Sequence, residues 1–219
     1  FSSRPNGMIF NEIETDNYPF LLRRLKTYVS NKSTIYSRFR ESHSFGFQTS
    51  KFIKSNCNNI DLIYMNTWPL LAQFYTVLIA KKYLIPVVTH IQDIYPESLT
   101  QKVPFCSKLL LKLLLPIDRF ITRNSSSIIT ISNGMKDLLI NTRNLTSKKV
   151  SVVFNWQDEK KFNINTKEFN RKDDYFTYMY VGSINKLANI ESIILAFKNA
   201  NLIGCRLVIA GEGSEKRNL

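Results

Sequence analysis

Apolar and polar positions follow two alternating periods along residues 58–155. Short runs rich in β-branched and aromatic residues predict strands at 61–66, 86–91, 126–132 and 149–155. Between these runs, apolar residues recur every three or four positions, which predicts helices at 69–83, 105–123 and 133–141. Strands that alternate with helices in this order predict an α/β fold, a Rossmann-like doubly wound parallel sheet with helices on both faces.

The segments before and after this region show a less regular pattern. Residues 44–55 predict an amphipathic helix and residues 6–20 read as a loop, so we expect the first strand of the domain to precede the chain. The polar stretch 156–174 predicts a linker between a domain at 1–155 and a second α/β unit at 175–219. That unit shows a strand at 175–182, a helix at 190–200 and a strand at 205–214. We expect it to be the truncated start of a second Rossmann-like domain.

The charge of the chain is concentrated in its first part. Residues 1–150 hold 20 Lys and Arg against 9 Asp and Glu, a net charge of +11, whereas residues 151–219 hold 10 against 8, a net charge of +2. A positive field attracts nucleic acid, anionic lipid or a phosphorylated substrate. The three cysteines are far apart in the sequence, which favours free thiols in a reducing, cytoplasmic compartment. Apolar runs stay shorter than the roughly 20 residues that cross a bilayer.

Polar residues crowd the end of one predicted strand. The stretch "VVTHIQDIYPES" begins as a buried strand and ends with His90, Gln92, Asp93 and Glu97. Ligands of open α/β sheets bind beyond the carboxyl ends of the strands, so these side chains are candidate site residues. Two plainer interpretations stay open. Asp93 and Glu97 could cap a turn or a helix start, and His90 could make a polar contact below the site.

Four stretches together resemble the family 4 glycosyltransferases, which have the two-domain GT-B fold. They are "IQDIYPES", "VVFNW", "YVGSINKLANIESIILAF" and "RLVIAGEGSEKRNL". The resemblance implies a retaining enzyme that moves a sugar from a nucleotide-sugar donor to a lipid-linked or polysaccharide acceptor in cell-surface polysaccharide biosynthesis. It implies no cofactor and no metal, because helix N-termini and basic side chains can hold the diphosphate.

The resemblance also assigns the candidate residues. The catalytic candidates are Asp93, Gln92 and His90. The donor-binding candidates are Gly182, Ser183, Lys186, Gly211 and Gly213. On the acceptor side the candidates are Glu97 and Asn155.

The chain departs from the family pattern at three places. Ser183 and Ala188 stand where the family has an arginine and a lysine, and Lys186 either replaces them or points to solvent. Many members have a His-Asp pair where this chain has Gln92 and Asp93. The family's two glutamates, spaced by seven residues, belong to a later part of the C-terminal domain. We therefore expect the 219 residues alone to be inactive.

A second class of function fits the same charge pattern. A non-catalytic Rossmann-like module could use its basic face for nucleic acid or another anionic partner. No nucleic-acid-binding motif accompanies the charge, so we do not expect nucleic acid as a partner. For an enzyme, the expected partner of the basic part is an anionic membrane surface. The leucine-rich stretch 108–115 either lies in that membrane interface, with the protein peripheral on the inner face of the cell membrane, or packs as an ordinary helix.

Overall fold

The computed structural model describes residues 13–14, 19–30, 34–67, 69–100, 107–158, 174–186 and 188–219. The chain divides into two compact units, Phe1–Gln157 and Asp158–Leu219. The predicted linker at 156–174 lies largely outside the described residues, so its bounds stay a prediction.

A short antiparallel pair, β1 (Ile13–Glu14) and β2 (Leu22–Arg23), opens the first unit. The reading of 6–20 as a loop was wrong for Ile13 and Glu14, because a pairing of two residues is shorter than the alternation that marks a strand. The four-stranded sheet follows, built from β3 (Ile63–Asn66), β4 (Val87–Ile91), β5 (Ser127–Thr130) and β6 (Val150–Val152).

All four strands of this sheet run parallel and lie side by side in chain order. The helices of the unit are α1 (Ile35–Asn56), α2 (Leu70–Lys82), α3 (Glu97–Thr100), α4 (Ser107–Asn124) and α5 (Asn133–Arg143). The predicted strands and helices are therefore confirmed, most of them with bounds that shift by a few residues, but α1 begins nine residues before the predicted start at 44. None of the described helices is long and apolar enough to cross a membrane.

One face of the sheet is buried and the other is more open. Thr89 lies beside Ile128 and Ile91 lies beside Thr130, and all four side chains are buried. Parallel crossovers are right-handed, so successive crossovers in one direction place α2, α4 and α5 on the same face. In agreement, α4 contacts both α2 and α5. His90, at an alternate position of β4, belongs to the opposite face and is only half-buried.

Ser42 of α1 caps the beginning of α2. Its buried hydroxyl accepts hydrogen bonds from the backbone N–H groups of Leu71, at 3.0 Å, and Ala72, at 3.3 Å. Pro69, at the N-cap position of α2, has no side-chain oxygen that could do this. The N-terminus of one helix is thus completed by the side chain of another.

Gly46 allows the same two helices to approach closely. A Cβ at this position would lie 2.5 Å from the ring of Tyr75 and 2.8 Å from the Cα of Ala72. Both distances are shorter than any side chain tolerates, so a larger residue would push α1 away from α2. This contact joins α1, which begins at a capping box formed by Thr34 and Ser37, to the helix layer.

Arg143, the last residue of α5, is fully buried (0% exposed) and shared by two carboxylates. Its Nε donates to Asp118 Oδ2 of α4 at 2.7 Å. Both of its terminal nitrogens donate to Glu97, and the Nη2–Oε2 distance is 2.7 Å. Nη2 also donates to the carbonyl of Tyr95 at 3.0 Å. One side chain thereby joins α5 to α4 and to the loop that follows β4.

The two carboxylates of this cluster titrate differently. Burial raises the pKa of Asp118 to about 6, although the adjacent Arg143 acts in the opposite direction. Burial also acts to raise the pKa of Glu97, but its hydrogen bonds and charge interaction with Arg143 outweigh that effect, so the pKa of Glu97 is lowered. A single guanidinium cannot neutralise both groups, and the more buried Asp118 takes up a proton first.

The second unit is one strand-helix-strand motif. β7 (Phe176–Val181) and β8 (Cys205–Ala210) pair in parallel, and α6 (Ile190–Ala200) connects them. The predicted apolar face of α6 is confirmed, because Ile190 is buried and the ring of Phe197 packs against Tyr178 with centroids 5.8 Å apart. Cys205 here and Cys57 in the first unit are free thiols.

Replacing Ser42 with alanine should lower the free energy of unfolding by about 1 kcal/mol, because two backbone N–H groups of α2 lose their acceptor. Urea unfolding measures this loss. Ser55→Ala is the matched control, since Ser55 is exposed on the same helix, and it should change stability by less than about 0.5 kcal/mol. Equal losses in the two variants would contradict the capping role.

Asp118→Asn should change how stability depends on pH. Asp118 has its pKa raised from 3.8 to about 6 in the folded chain, so its contribution to stability is fully present below about pH 3.8 and is lost as the pH rises through 6. Asparagine keeps an oxygen for Arg143 but does not titrate. Relative to the parent, the variant should therefore gain up to about 2–3 kcal/mol between about pH 4 and pH 7.

Free energies of unfolding at a series of pH values test this expectation. Asp137→Asn, at an exposed position of α5, is the matched control for the loss of a carboxylate. An offset between Asp118→Asn and the parent that stays constant over the whole range would contradict the elevated pKa.

Candidate functional site

Polar side chains gather at the edge of the sheet where the strands of the first unit end. Thr67 follows β3, Gln92 and Asp93 follow β4, Ser132 follows β5, and Asn155 follows β6. This is the edge at which open α/β sheets bind ligands. Gln92 and Asp93 are both exposed. Strand β4 therefore does lead from a buried core to an accessible polar loop, as the sequence predicts.

The hydroxyl of Thr67 ties the end of β3 to the end of β4. It accepts a hydrogen bond from the backbone N–H of Gln92 at 2.7 Å and donates to the carbonyl of His90 at 3.0 Å. These two bonds extend the pairing of the strands by a side chain after the backbone ladder has stopped. They fix the point at which the loop leaves the sheet. Sequence reasoning missed Thr67, since a threonine after a strand carries no distinctive pattern.

His90 makes a polar contact on the more open face of the sheet. Its Nδ1 lies 2.6 Å from the hydroxyl of Tyr64, a residue of β3. Its Nε2 is buried and has no hydrogen-bond partner among the described residues. The contact of Nδ1 with Tyr64 supports the interpretation of His90 as a polar contact. Because Nε2 has no partner among the described residues, the catalytic role of His90 stays a prediction.

Asp93 faces solvent on one side and a small cavity on the other. The cavity, about 10 Å³, is just large enough for one water molecule. Its lining residues come from the sheet, the loop and helices α2, α4 and α5, and they are Thr67, Gln73, Thr89, Ile91, Asp93, Tyr95, Asp118, Ile121, Thr122 and Leu139. Asp93 forms no ion pair with any described residue. Its carboxylate is therefore available to a ligand.

The far end of the loop is anchored rather than open. Glu97 stands in the first turn of α3, and its carboxylate is held by Arg143. Burial, together with the nearby charge of Asp118, raises the pKa of Tyr95 to about 12, so its phenol stays protonated. The observed contact gives Glu97 an anchoring role, and its predicted acceptor-side role stays a prediction. Asn155, the other predicted acceptor-side residue, is exposed beyond β6.

The two predicted donor loops of the second unit lie directly against each other. The N–H of Ile184 donates to the carbonyl of Glu212 at 2.9 Å. A Cβ on Gly211 would lie 1.8 Å from the carbonyl oxygen of Gly182, and a Cβ on Gly213 would lie 1.9 Å from that of Ile184. Glycine is therefore required at both positions by backbone packing. The loops form one continuous backbone surface at the carboxyl ends of β7 and β8.

Ser183 and Lys186 stand in the loop between β7 and α6. Ser183 Oγ accepts a hydrogen bond from Asn185 Nδ2 at 2.9 Å. Lys186 is exposed and forms no ion pair with any described residue. Helix α6 begins after Asn189 without a side-chain cap from the described residues. The N–H of Ser192 donates to the carbonyl of Asn189 at 3.1 Å, so the N–H groups of Ile190 and Glu191 remain, with Lys186, as positive groups of this loop that have no partner among the described residues.

Among the residues that the structure describes, no cluster of three or more His, Cys, Asp or Glu side chains could hold a metal ion.

Comparison with known proteins supplies the family. A profile of Glycosyltransferase Family 4 matches residues 8–161. Among solved structures, the chain is similar to Alr3699/HepE from Anabaena, which was crystallised in complex with UDP and glucose, with 14% sequence identity and a TM-score of 0.50. The match covers 77% of this chain but 44% of that protein, so the chain spans less than half of its neighbour's length. A comparison with curated proteins gives no match.

These findings agree with the architecture described above. The similarity to the Anabaena protein and the parallel sheet confirm the predicted α/β fold of the GT-B type. The family profile covers more than half of the chain and includes the whole loop from Gln92 to Glu97. The protein therefore belongs to Glycosyltransferase Family 4.

Proposed function

We propose that the protein carrying this chain is a retaining, nucleotide-sugar-dependent glycosyltransferase that acts in cell-surface polysaccharide biosynthesis. Its acceptor is a lipid-linked sugar or a polysaccharide. The observation that carries this proposal is the accessible polar loop from Gln92 to Glu97, at the carboxyl edge of the sheet and within the segment that matches the family. The UDP and glucose in the Anabaena neighbour support a nucleotide-sugar donor.

Asp93 is the residue best placed to act on the sugar or the acceptor. The reaction breaks the bond between the anomeric carbon and the diphosphate oxygen, and a bond to the acceptor hydroxyl forms as that hydroxyl loses its proton. Positive charge develops on the sugar during the transfer. An exposed carboxylate that is not neutralised by a neighbouring cation can stabilise that charge or orient the hydroxyl. Gln92 lies beside it and offers a neutral donor and acceptor.

The second unit supplies the groups that suit the leaving diphosphate. The two loops carry no side chain at Gly182, Gly211 and Gly213, and the first N–H groups of α6 present the positive end of a helix dipole. Lys186 adds a positive charge in the same loop. Together they could hold the diphosphate without a metal. In this proposal Lys186 and the helix substitute for the basic residues that Ser183 and Ala188 replace.

The acceptor side is consistent with an anionic membrane. Helix α4 packs in the helix layer, yet Leu109 and Leu113 are each 60% exposed. Lys108 and Lys112 are exposed beside them. Leucines flanked by lysines suit the surface of an anionic bilayer. We therefore assign the protein to the cytoplasm, at the inner face of the cell membrane, where a lipid-linked acceptor would lie.

Asp93→Asn should lower turnover by about 100-fold or more, because it removes a charge while it keeps the size of the side chain. The thermal midpoint of unfolding should change little. Release of nucleoside diphosphate from a panel of nucleotide sugars, by a protein with a complete C-terminal domain, measures the effect. Asp137→Asn is the control at an exposed position. Modest and parallel losses of activity and stability would mean that Asp93 only caps the loop.

Lys186→Ala should weaken the binding of nucleoside diphosphate by about 1–3 kcal/mol, the range for the loss of a charge-assisted contact. Isothermal titration calorimetry with UDP and GDP measures it. Lys198→Ala, at an exposed position near the end of α6, is the control and should bind as the parent does. If Lys186→Ala also binds as the parent does, Lys186 is a solvated lysine and the charge must come from another part of the protein.

A further inference from the structure

The small cavity beside Asp93 has a polar wall. Seven of its ten lining residues carry a hydroxyl, amide or carboxyl group, and four of these seven are buried, namely Gln73, Thr89, Asp118 and Thr122. Cavities lined by apolar side chains stay dry, whereas a polar cavity with room for one water holds it by about two to four hydrogen bonds. The cavity therefore has both the room and the partners that a bound water needs.

Asp118 brings an unpaired oxygen to this cavity. Its Oδ2 accepts a hydrogen bond from Arg143 Nε at 2.7 Å, but its Oδ1 accepts none from the described residues. Asp118 is only 7% exposed, so bulk solvent does not supply the missing donor. A buried carboxylate oxygen without a partner is costly, and an ordered water is the usual partner where the protein offers none.

Other groups of the wall can complete the hydrogen bonds of a water. The phenol of Tyr95 stays protonated, because burial raises its pKa to about 12, and it can donate. The side-chain amide of Gln73 donates one N–H to the carbonyl of Asn66 and keeps a second. A water accepts from such donors and donates its own two hydrogens to carboxylates, and the wall contains two carboxylates, Asp93 and Asp118.

We infer that this cavity is a binding site for one structural water, which donates one hydrogen bond to Asp118 Oδ1 and the other to the carboxylate of Asp93. Because the cavity admits a single molecule, both carboxylates lie within reach of it. The water holds one oxygen of Asp93 and leaves the other for a ligand.

Asp118 thereby becomes a positioning residue for Asp93, and Arg143 fixes Asp118 in turn. The effect of the water on turnover rests on the proposed role of Asp93 in glycosyl transfer. The water site itself needs no sugar, so the two can be tested separately.

A high-resolution crystal structure of a protein with a complete C-terminal domain tests the site directly. We expect a density peak in the cavity, at about 2.5–3.0 Å from oxygens of Asp93 and Asp118. A cavity without density would overturn the inference. A peak with several oxygen neighbours at about 2.0–2.6 Å would identify a cation instead and would also overturn it.

Thr122→Ile tests what the water does for turnover. Isoleucine replaces the hydroxyl with an ethyl group at the wall of the cavity, and the added carbon takes the space of the water. Thr49→Ile on α1 is the matched control. Both threonine hydroxyls donate to the carbonyl four residues earlier in their own helix, at 2.9 Å for Thr122 and 2.8 Å for Thr49. Thermal unfolding confirms that both variants are folded.

We expect Thr122→Ile to lower kcat by about 10–100-fold, because a small misplacement of a group that meets the reacting atoms is costly in turnover. KM for the nucleotide sugar should stay within about twofold of the parent, which a general loss of structure would not produce. Thr49→Ile should keep kcat within about twofold of the parent. In an Asp93→Asn background, Thr122→Ile should cause no further loss, because both changes act through the same carboxylate.

Two kinetic results would overturn the positioning role. They are equal losses in Thr122→Ile and Thr49→Ile, and a loss from Thr122→Ile that is as large in the Asp93→Asn background as in the parent. If Asp93→Asn alone turns over as the parent does, the proposed role of Asp93 is wrong, and the effect of the water on turnover is overturned with it. The density in the cavity of the parent still decides whether the water site exists.

Discussion

One buried guanidinium fixes the position of the loop on which the candidate site depends. Removing a charge from water costs several kcal/mol, so Arg143 is tolerated in the interior only because Asp118 and Glu97 surround it. Each partner belongs to a different part of the unit. Helix α5, helix α4 and the loop after β4 therefore cannot shift independently without separating a buried cation from a carboxylate.

The loop is consequently held at both ends and open in the middle. Thr67 fixes its departure from the sheet, and Arg143 holds Tyr95 and Glu97 at its end. Gln92 and Asp93, which lie between these anchors, stay exposed. A rigid frame around an accessible carboxylate suits a group that must meet a ligand in a fixed geometry. The anchors use charge and hydrogen bonds that are internal to the first unit.

The sequence was sufficient for the features that arise from local patterns. Alternating periods located the strands and helices, and Ser132, a serine directly before a predicted helix, caps α5 through a 3.2 Å hydrogen bond from the N–H of Met135. The polar end of β4 followed from the rule that ligands bind at the carboxyl edge of parallel sheets. The beginning of α1 was missed, because Tyr36 and Phe39 lie on the outer side and obscure the amphipathic pattern of the helix.

Contacts between distant residues could not be predicted in this way. Arg143 reads as an ordinary cation near the C-terminus of a helix, yet its partners Asp118 and Glu97 are 25 and 46 positions away. Glu97 was predicted to be a site residue because the sequence shows a polar residue at this position but does not show that Arg143 is its partner. Gly211 and Gly213 were predicted to bind the donor. The structure shows a second reason for glycine at both positions, which is the close approach of another backbone segment.

Ser42 imposes an order of assembly on the first two long helices. The N–H groups that begin α2 find their acceptor on a residue of α1, 29 positions before Leu71. Because a chain emerges from the ribosome with its N-terminus first, that hydroxyl is available before the helix that it completes. A circular permutant that began between α1 and α2 would reverse the order. Its α2 would rely on water at its N-terminus until the last part of the chain had been made.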